Sequence, residues 1–485
     1  MDQRFFIILV AVIYLAALLG IGFWAQKRAS KASDFLVAGR KLGVVMCACT
    51  IAAVQIGAGV IVGGAENGAT YSVWPGMYYS LGCGLGCIVA GIFIAGKMRD
   101  VEAVVPMDYF EARYGGHRAF RGWAWLSNVP SMLGIFVAQL LACGGILSAF
   151  GIPFGVGVVV CSLVILVYAS MGGMWSVVVG DTVNIAVIMV GVPIAAIIAL
   201  ANLGKTGDVS AFTTIMATPF IPKGLFSKFI YMVAPMLVSI SVSYDAFLRY
   251  QSAKDVKTAK WGCIFGGIIT IVIGTAASII GAVGHQLYPD AAASSIFATT
   301  VSSLMTPLLS GIVVTAVLAA AMSSGNGLLI CMGASFSRDF YNKILHPDKE
   351  LDELPKAKLI ARLTIIGACL VGIFFAFKMT NVLDAIILFN YPYMGSMLIP
   401  YYAALLSKTA TVKGCFAGMV VGAIIGVGSF LAGIPGPFNG WVNPDLGLFV
   451  AYAAAFVVMM LVSSFDKNKS PMVTLSSEAA KRAAR

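Results

Sequence analysis

Charge is scarce in this sequence. Only 11% of its 485 residues are Asp, Glu, Lys or Arg, against about 25% in an ordinary soluble domain. Histidine is limited to His117, His285 and His346, and no CxxC pair occurs among the ten cysteines. The chain therefore offers no zinc-binding pattern. It is also poor in the groups that make an active site: beyond Asp181 and one serine pair, no His, Asp or Ser arrangement supports a membrane-embedded enzyme. Long polar segments are missing too. The longest loops, about 203–226 and 333–358, are too short for a second soluble domain.

Apolar residues fill the space that charge leaves. They make up 59% of the chain, and mean hydropathy is +0.92. Runs of about 18 apolar residues or more recur throughout, the length of a bilayer-spanning helix. Glycine is abundant at 53 residues, as bilayer helices allow, because small residues let backbones approach closely. The ten cysteines all fall inside apolar segments and read as small buried hydrophobes. The net charge of +11 does not point to nucleic acid, because the positive residues sit in short loops between apolar runs.

About thirteen spans are predicted: 5–25, 43–70, 76–98, 122–149, 153–171, 174–202, 227–249, 262–284, 302–332, 359–378, 383–406, 414–433 and 446–465. The fold class is an all-α membrane protein. The first span is followed, not preceded, by Lys27, Arg28 and Lys31, the reverse of a cleaved signal peptide, so it reads as a retained helix. With the N-terminus outside, 27 of the 32 Lys and Arg residues fall on inner segments and five on outer ones. That asymmetry fits the positive-inside rule on alternate loops and an odd number of spans. The polar tail, 466–485, reads as cytoplasmic, and the expected location is a plasma (inner) membrane.

Ionisable residues inside spans are costly and are functional candidates by default. Asp181 stands within the sixth span, ahead of about twenty uncharged residues. Glu66 and Asp245 lie near span ends and read as interfacial, solvated carboxylates. In the second span, Val54-Gln55-Ile56-Gly57-Ala58-Gly59 puts two glycines and an amide near the midpoint. Glycine costs a helix about 1 kcal/mol relative to Ala. A break here would free backbone carbonyls at mid-membrane, where a sodium ion takes oxygen ligands. Close helix packing is the alternative use of the same small residues. The ninth span carries Met322-Ser323-Ser324-Gly325-Asn326. Its hydroxyls can bond back to their own helix, or join freed carbonyls as oxygen ligands for a monovalent cation.

These residues resemble the sodium:solute symporter family, and the likeness covers most of the chain. Asp34-Phe35-Leu36-Val37-Ala38-Gly39-Arg40-Lys41-Leu42-Gly43 is similar to the family's approach to its first core helix. The inner loop Pro106-Met107-Asp108-Tyr109-Phe110-Glu111-Ala112-Arg113-Tyr114-Gly115 is similar as well. So are Gly172-Gly173 with Val177 and Asp181, and Ala320-Ala321-Met322-Ser323-Ser324 with Arg338-Asp339-Phe340-Tyr341. The resemblance implies an inverted five-plus-five helix repeat. Residues 43–202 would form the first repeat and 227–406 the second. Accessory helices would lie at 5–25 and 414–465. It also implies sodium as the coupling ion, held by the carbonyls of Ala53, Ile56 and Ala320 and the hydroxyls of Ser323 and Ser324. Gln55 and Gly59 become the solute contacts. Some members hold a second sodium on the Asp that corresponds to Asp181 and on later hydroxyls. Here those later positions are Asn326 and Gly327, so Asp181 with Asn326 is either an ion relay or a second ion site.

The first core helix most resembles the choline-transporter branch, at Gly57-Ala58-Gly59 and Gly64-Ala65-Glu66. That branch has an aromatic where this chain has Gln55, and quaternary ammonium is favoured by aromatic faces. The implied function is sodium-coupled import of a small polar organic solute, such as an amino acid, a carboxylate or a related compound, by alternating access. The partners are then solute, sodium and lipid, without nucleic acid, and the chain is not an enzyme. Two alternatives stand beside it. A proton-coupled carrier would place a titratable group where the serine pair is. A transporter-like membrane sensor usually carries an appended signalling domain.

Overall fold

The fold was analysed in a computed structural model. It describes residues 40–101, 118–171, 173–205, 217–349, 356–379, 381–433 and 444–467, with single positions or short pieces at 8–10, 12–14, 16–17, 20, 24, 107, 110, 113–114, 213, 354 and 439–440. Among the described residues the chain is helical, apart from one parallel bridge between Leu42 and Ala253. About half of the first expected span, most of the 34–43 and 106–115 motifs, Gly172 and the tail beyond 467 lie outside the described residues.

The second expected span is two helices, α1 (Val44–Ile56) and α2 (Ala58–Tyr71), bent by 54° at a break. α3 (Tyr78–Phe93), α4 (Arg118–Ser148), α5 (Phe154–Met171) and α6 (Gly173–Lys205) follow. The seventh span is also two helices, α7 (Phe226–Val242) and α8 (Tyr244–Gln251), bent by 46°. Then come α9 (Val256–Leu287), α10 (Pro307–Leu345), α11 (Ala357–Ala376), α12 (Val382–Leu406), α13 (Val412–Gly433) and α14 (Pro444–Phe465). Among the described residues, eight helices are long and apolar enough to cross a bilayer alone, and the two bent pairs make ten; α3 and α5 are apolar but shorter.

Two expected spans, the third and the ninth, end differently. The third is two helices, α3 and Ala95–Val101. The ninth starts at Pro307, because proline suits the first helical turn, where its missing N–H is not needed. Its expected first residues belong to a separate helix, Ile296–Leu304. The ninth also runs on to Leu345 through a wider-wound segment, Phe336–Leu345, where a loop was expected.

The first break sits at Gly57, whose ψ of −138° leaves the helical region. Residues Ala58–Gly63 are wound more loosely than an α-helix before the regular turns resume. The second break has no glycine. Ser243 is extended there, at φ −68° and ψ 142°. Its carbonyls are met by tyrosine hydroxyls: Tyr250 donates to Ser241 O at 2.9 Å, Tyr393 to Val242 O at 2.9 Å and Tyr402 to Val238 O at 3.2 Å. Backbone groups away from water need such partners.

The helices divide into an interior set and a lipid-facing set. The most apolar stretch of α12 is 89% buried and that of α10 83%, against 22% for α11 and 33% for α14. α9 lies along the first bent pair. A Cβ on Gly281 would stand 1.9 Å from Ala65 O, so only glycine fits this approach. α9 begins at Asp255, whose carboxylate accepts from Thr258 N at 2.7 Å. That bond holds the Asp255 carboxyl below its usual range. Where α4 begins and α10 ends, Arg121 and Asp339 form a buried ion pair at 2.8 Å. Tyr244 and Ser335 also donate to Asp339, at 3.0 and 2.9 Å.

Glu66 and Asp245 are not solvated. Each is only 8% exposed. α2 packs so closely on α12 that a Cβ on Gly63 would reach Leu383 at 2.9 Å, and Glu66 lies three residues further on. Asp245 is on α8 at the second break, where every residue from Tyr244 to Gln251 is buried, and its carboxylate accepts from Ala246 N at 2.9 Å. All ten cysteines are buried and free.

Candidate functional site

The residues singled out at the first break and in α10 meet in space. The last four carbonyls of a helix have no partner within it, and in α1 these belong to residues 53–56. Ser324 Oγ of α10 donates to the first of them, Ala53 O, at 3.1 Å. Ile56 and Ala320 are buried, at 0% and 1% exposure. The only side-chain oxygens of this group are hydroxyls. Such a set of neutral oxygens suits a weakly held monovalent cation, which must bind and leave within one cycle.

Ser323 turns the other way. Its hydroxyl donates to Asp181 Oδ1 at 2.8 Å, while Thr50 of α1 donates to Asp181 Oδ2 at 2.8 Å. Asp181 is 2% exposed. The serine pair thus splits between two neighbouring oxygen clusters, one at the helix break and one around a carboxylate. Asn326, one turn along from Ser323, is fully buried, and neither atom of its amide has a hydrogen-bond partner among the described residues. Gly327 stands against Arg249 of α8: a Cβ there would lie 3.1 Å from Nη2.

Gln55 is 8% exposed and makes no hydrogen bond among the described residues. Its amide is available to another ligand. Gly59 is closed over, since a Cβ would meet Tyr79 at 2.6 Å and Ile386 at 2.8 Å. Any solute touching Gly59 does so on its backbone, after those two side chains move.

Two participants were not legible in the sequence. Thr50 is one of many threonines, and its place beside Asp181 depends on a contact 131 residues away. Gln139 of α4 accepts from Ala58 N at 2.9 Å, across 81 residues. A polar amide within a predicted span was the one available signal for Gln139.

Two broken helices five spans apart, with a buried oxygen-lined cluster beside the first, define a secondary-transporter architecture. The comparisons make this specific. Residues 35–422 match the sodium:solute symporter family. The chain belongs to that family, and its class of activity is sodium-coupled solute symport. It is a multi-pass membrane protein. It is 26% identical to the sodium/pantothenate symporter of Escherichia coli (strain K12), over 86% of this chain and 89% of the relative. It is 23% identical to sodium/proline symporter 2 of Staphylococcus saprophyticus, over 96% and 94%. Among solved structures it shares the fold of a Na⁺-coupled sialic acid symporter, with TM-score 0.77 at 20% identity, covering 96% of this chain and 99% of the other.

Proposed function

We propose that this chain imports a small polar organic solute bearing a carboxylate, with one sodium ion, by alternating access. The observation that carries the reading is the contact of Ser324 Oγ with Ala53 O at 3.1 Å, which joins α10 to α1 at the first break. Sodium binds there, on the carbonyls of Ala53, Ile56 and Ala320 and the hydroxyls of Ser323 and Ser324. Ser323 keeps its proton on Asp181 Oδ1 and offers the ion a lone pair of the same oxygen. Sodium then holds α1 against α10 in the outward-open state and completes the solute site at Gln55 and the Gly59 backbone. A ligand shifts such an equilibrium only by its differential affinity for the two states. The membrane potential adds about 2.3 kcal/mol per charge per 100 mV.

The solute class follows from chemistry. Proline, pantothenate and sialic acid, named in these relatives, all carry a carboxylate beside polar groups. Gln55 has an amide that donates to a carboxylate and accepts from an amine or hydroxyl. Residues 43–202 form one repeat and 227–406 the inverted second, with accessory helices at 5–25 and 414–465. The Lys and Arg asymmetry supports an N-terminus outside and a cytoplasmic tail in the plasma (inner) membrane.

A solute panel on purified protein tests this, with thermal unfolding read with and without sodium. One carboxylate solute is expected to raise Tm only when sodium is present. A solute that stabilises equally in potassium, and is taken up on a proton gradient alone, would overturn the reading.

A further inference from the structure

The first break leaves a donor as well as acceptors. In an unbroken helix Ala58 N–H would bond Val54 O. Instead α2 starts at Ala58, and a first helical N–H has no partner within its own helix. Its partner is Gln139 Oε1, at 2.9 Å, from α4. Gln139 is 2% exposed, and Phe136, Val137, Ala138 and Leu140 beside it are fully buried. The amide therefore stands on a fixed post. Gly57 makes the contact sterically possible. A Cβ there would lie 2.6 Å from Gln139 Oε1, 3.2 Å from Gln139 Cδ and 3.1 Å from Ser324 Oγ. The side chain that holds the break and the hydroxyl that meets Ala53 O thus flank one glycine.

We propose that Gln139 is a positioning residue for the coupling ion. Its carboxamide oxygen draws the Ala58 N–H out of α1, so the break persists and the last-turn carbonyls of α1 stay turned toward the serine pair. Gly57 is glycine to admit that oxygen. The inference rests on the reading that sodium binds at Ala53, Ile56, Ala320, Ser323 and Ser324. It adds a residue that touches neither solute nor ion and sets the affinity for the ion.

The chemistry requires an acceptor at position 139. Gln139→Glu keeps one, while Gln139→Leu keeps the bulk and removes it. An unpaired buried N–H is costly, so the N–H of Ala58 in Gln139→Leu returns to Val54 O and the break straightens.

The test is uptake by proteoliposomes of the solute found in the panel, with sodium half-saturation and solute KM at saturating sodium measured separately. Gln139→Leu is expected to raise sodium half-saturation about tenfold or more, leaving solute KM within about twofold. Gln139→Glu is expected to stay near the unmodified value. Gly57→Ala should weaken sodium as Gln139→Leu does. Adding Gln139→Ala to Gly57→Ala relieves the clash with the amide, while sodium affinity stays low. If Gln139→Leu does not fold, Gln139→Ala takes its place with the same expectation. Unchanged sodium half-saturation in folded Gln139→Leu or Gln139→Ala, with Ser324→Ala raised, overturns the role of Gln139. Unchanged half-saturation in Ser324→Ala overturns the ion-site reading itself.

Discussion

At the scale of single residues, adjacent side chains differ in their tasks. Ser324 faces the broken helix and Ser323 faces the carboxylate. Ser324→Ala removes one oxygen ligand and leaves a small residue that packs. It should raise sodium half-saturation about tenfold and cost the fold no more than about 1.5 kcal/mol. Ser323→Ala should weaken sodium as well, by removing the hydroxyl that links Asp181 to the ion. Sodium-activated uptake, with thermal unfolding as the control, separates the two effects. Unchanged half-saturation in both variants would remove the serine pair from the site. Gln55→Leu should change solute affinity about tenfold and leave sodium half-saturation alone, because its amide makes no hydrogen bond among the described residues. Solute KM at saturating sodium is the readout. A variant with normal solute affinity and impaired sodium affinity would reverse the assignment.

At the scale of elements, the two bent pairs are stabilised by different means. The first break has a flexible residue, Gly57, and an amide cap from α4. The second has three tyrosine hydroxyls and an extended serine. In the proposed function sodium belongs to the first, while the second has tyrosine donors on its carbonyls. Tyr393→Phe leaves Val242 O without its donor. It should destabilise the protein by about 1–3 kcal/mol without moving sodium half-saturation. Thermal unfolding and uptake measured on the same preparation check this. A large change in sodium affinity with unchanged stability would mean that the second break takes part in ion binding. Of the two breaks, Gly57 and Gly59 announced the first in the sequence. The second was read as one continuous span, 227–249, because the residues that hold it open are tyrosines, two of them more than 150 positions away.

At the scale of the whole molecule, the question is how many ions move with each solute. One sodium per solute is expected. The Asp181 cluster spends its two oxygens on Thr50 and Ser323, and the positions after the serine pair are an amide and a glycine. Asp181 then acts as a charged relay on the ion's inward path. Asp181→Asn should slow transport and sodium release while leaving the stoichiometry at one. Reversal-potential measurements in proteoliposomes decide it, with opposing solute and sodium gradients balanced until net flux stops. A balance point that needs two sodium ions in the unmodified protein would make Asp181 a direct ligand, with the unpartnered amide of Asn326 as its neighbour.

Some of this protein follows from composition and order along the chain alone. Apolar runs of bilayer length require helices, because lipid satisfies no backbone group. Charge asymmetry in the loops points to an orientation. Two glycines in three residues weaken a helix wherever it lies, and the motifs around Asp181 and the serine pair resemble one family. Tertiary structure alone decided which partner each polar group takes. Ser323 and Ser324 are neighbours in sequence, but they stand about 100° apart around a helix of 3.6 residues per turn. Which of them meets Asp181 depends on where α6 and α1 lie against α10. Thr50 and Gln139 enter the site only because α1 packs against α6 and α4 against the start of α2, through contacts 131 and 81 residues apart. Local sequence sets where a helix can break. What fills the break depends on the residues that packing brings to it.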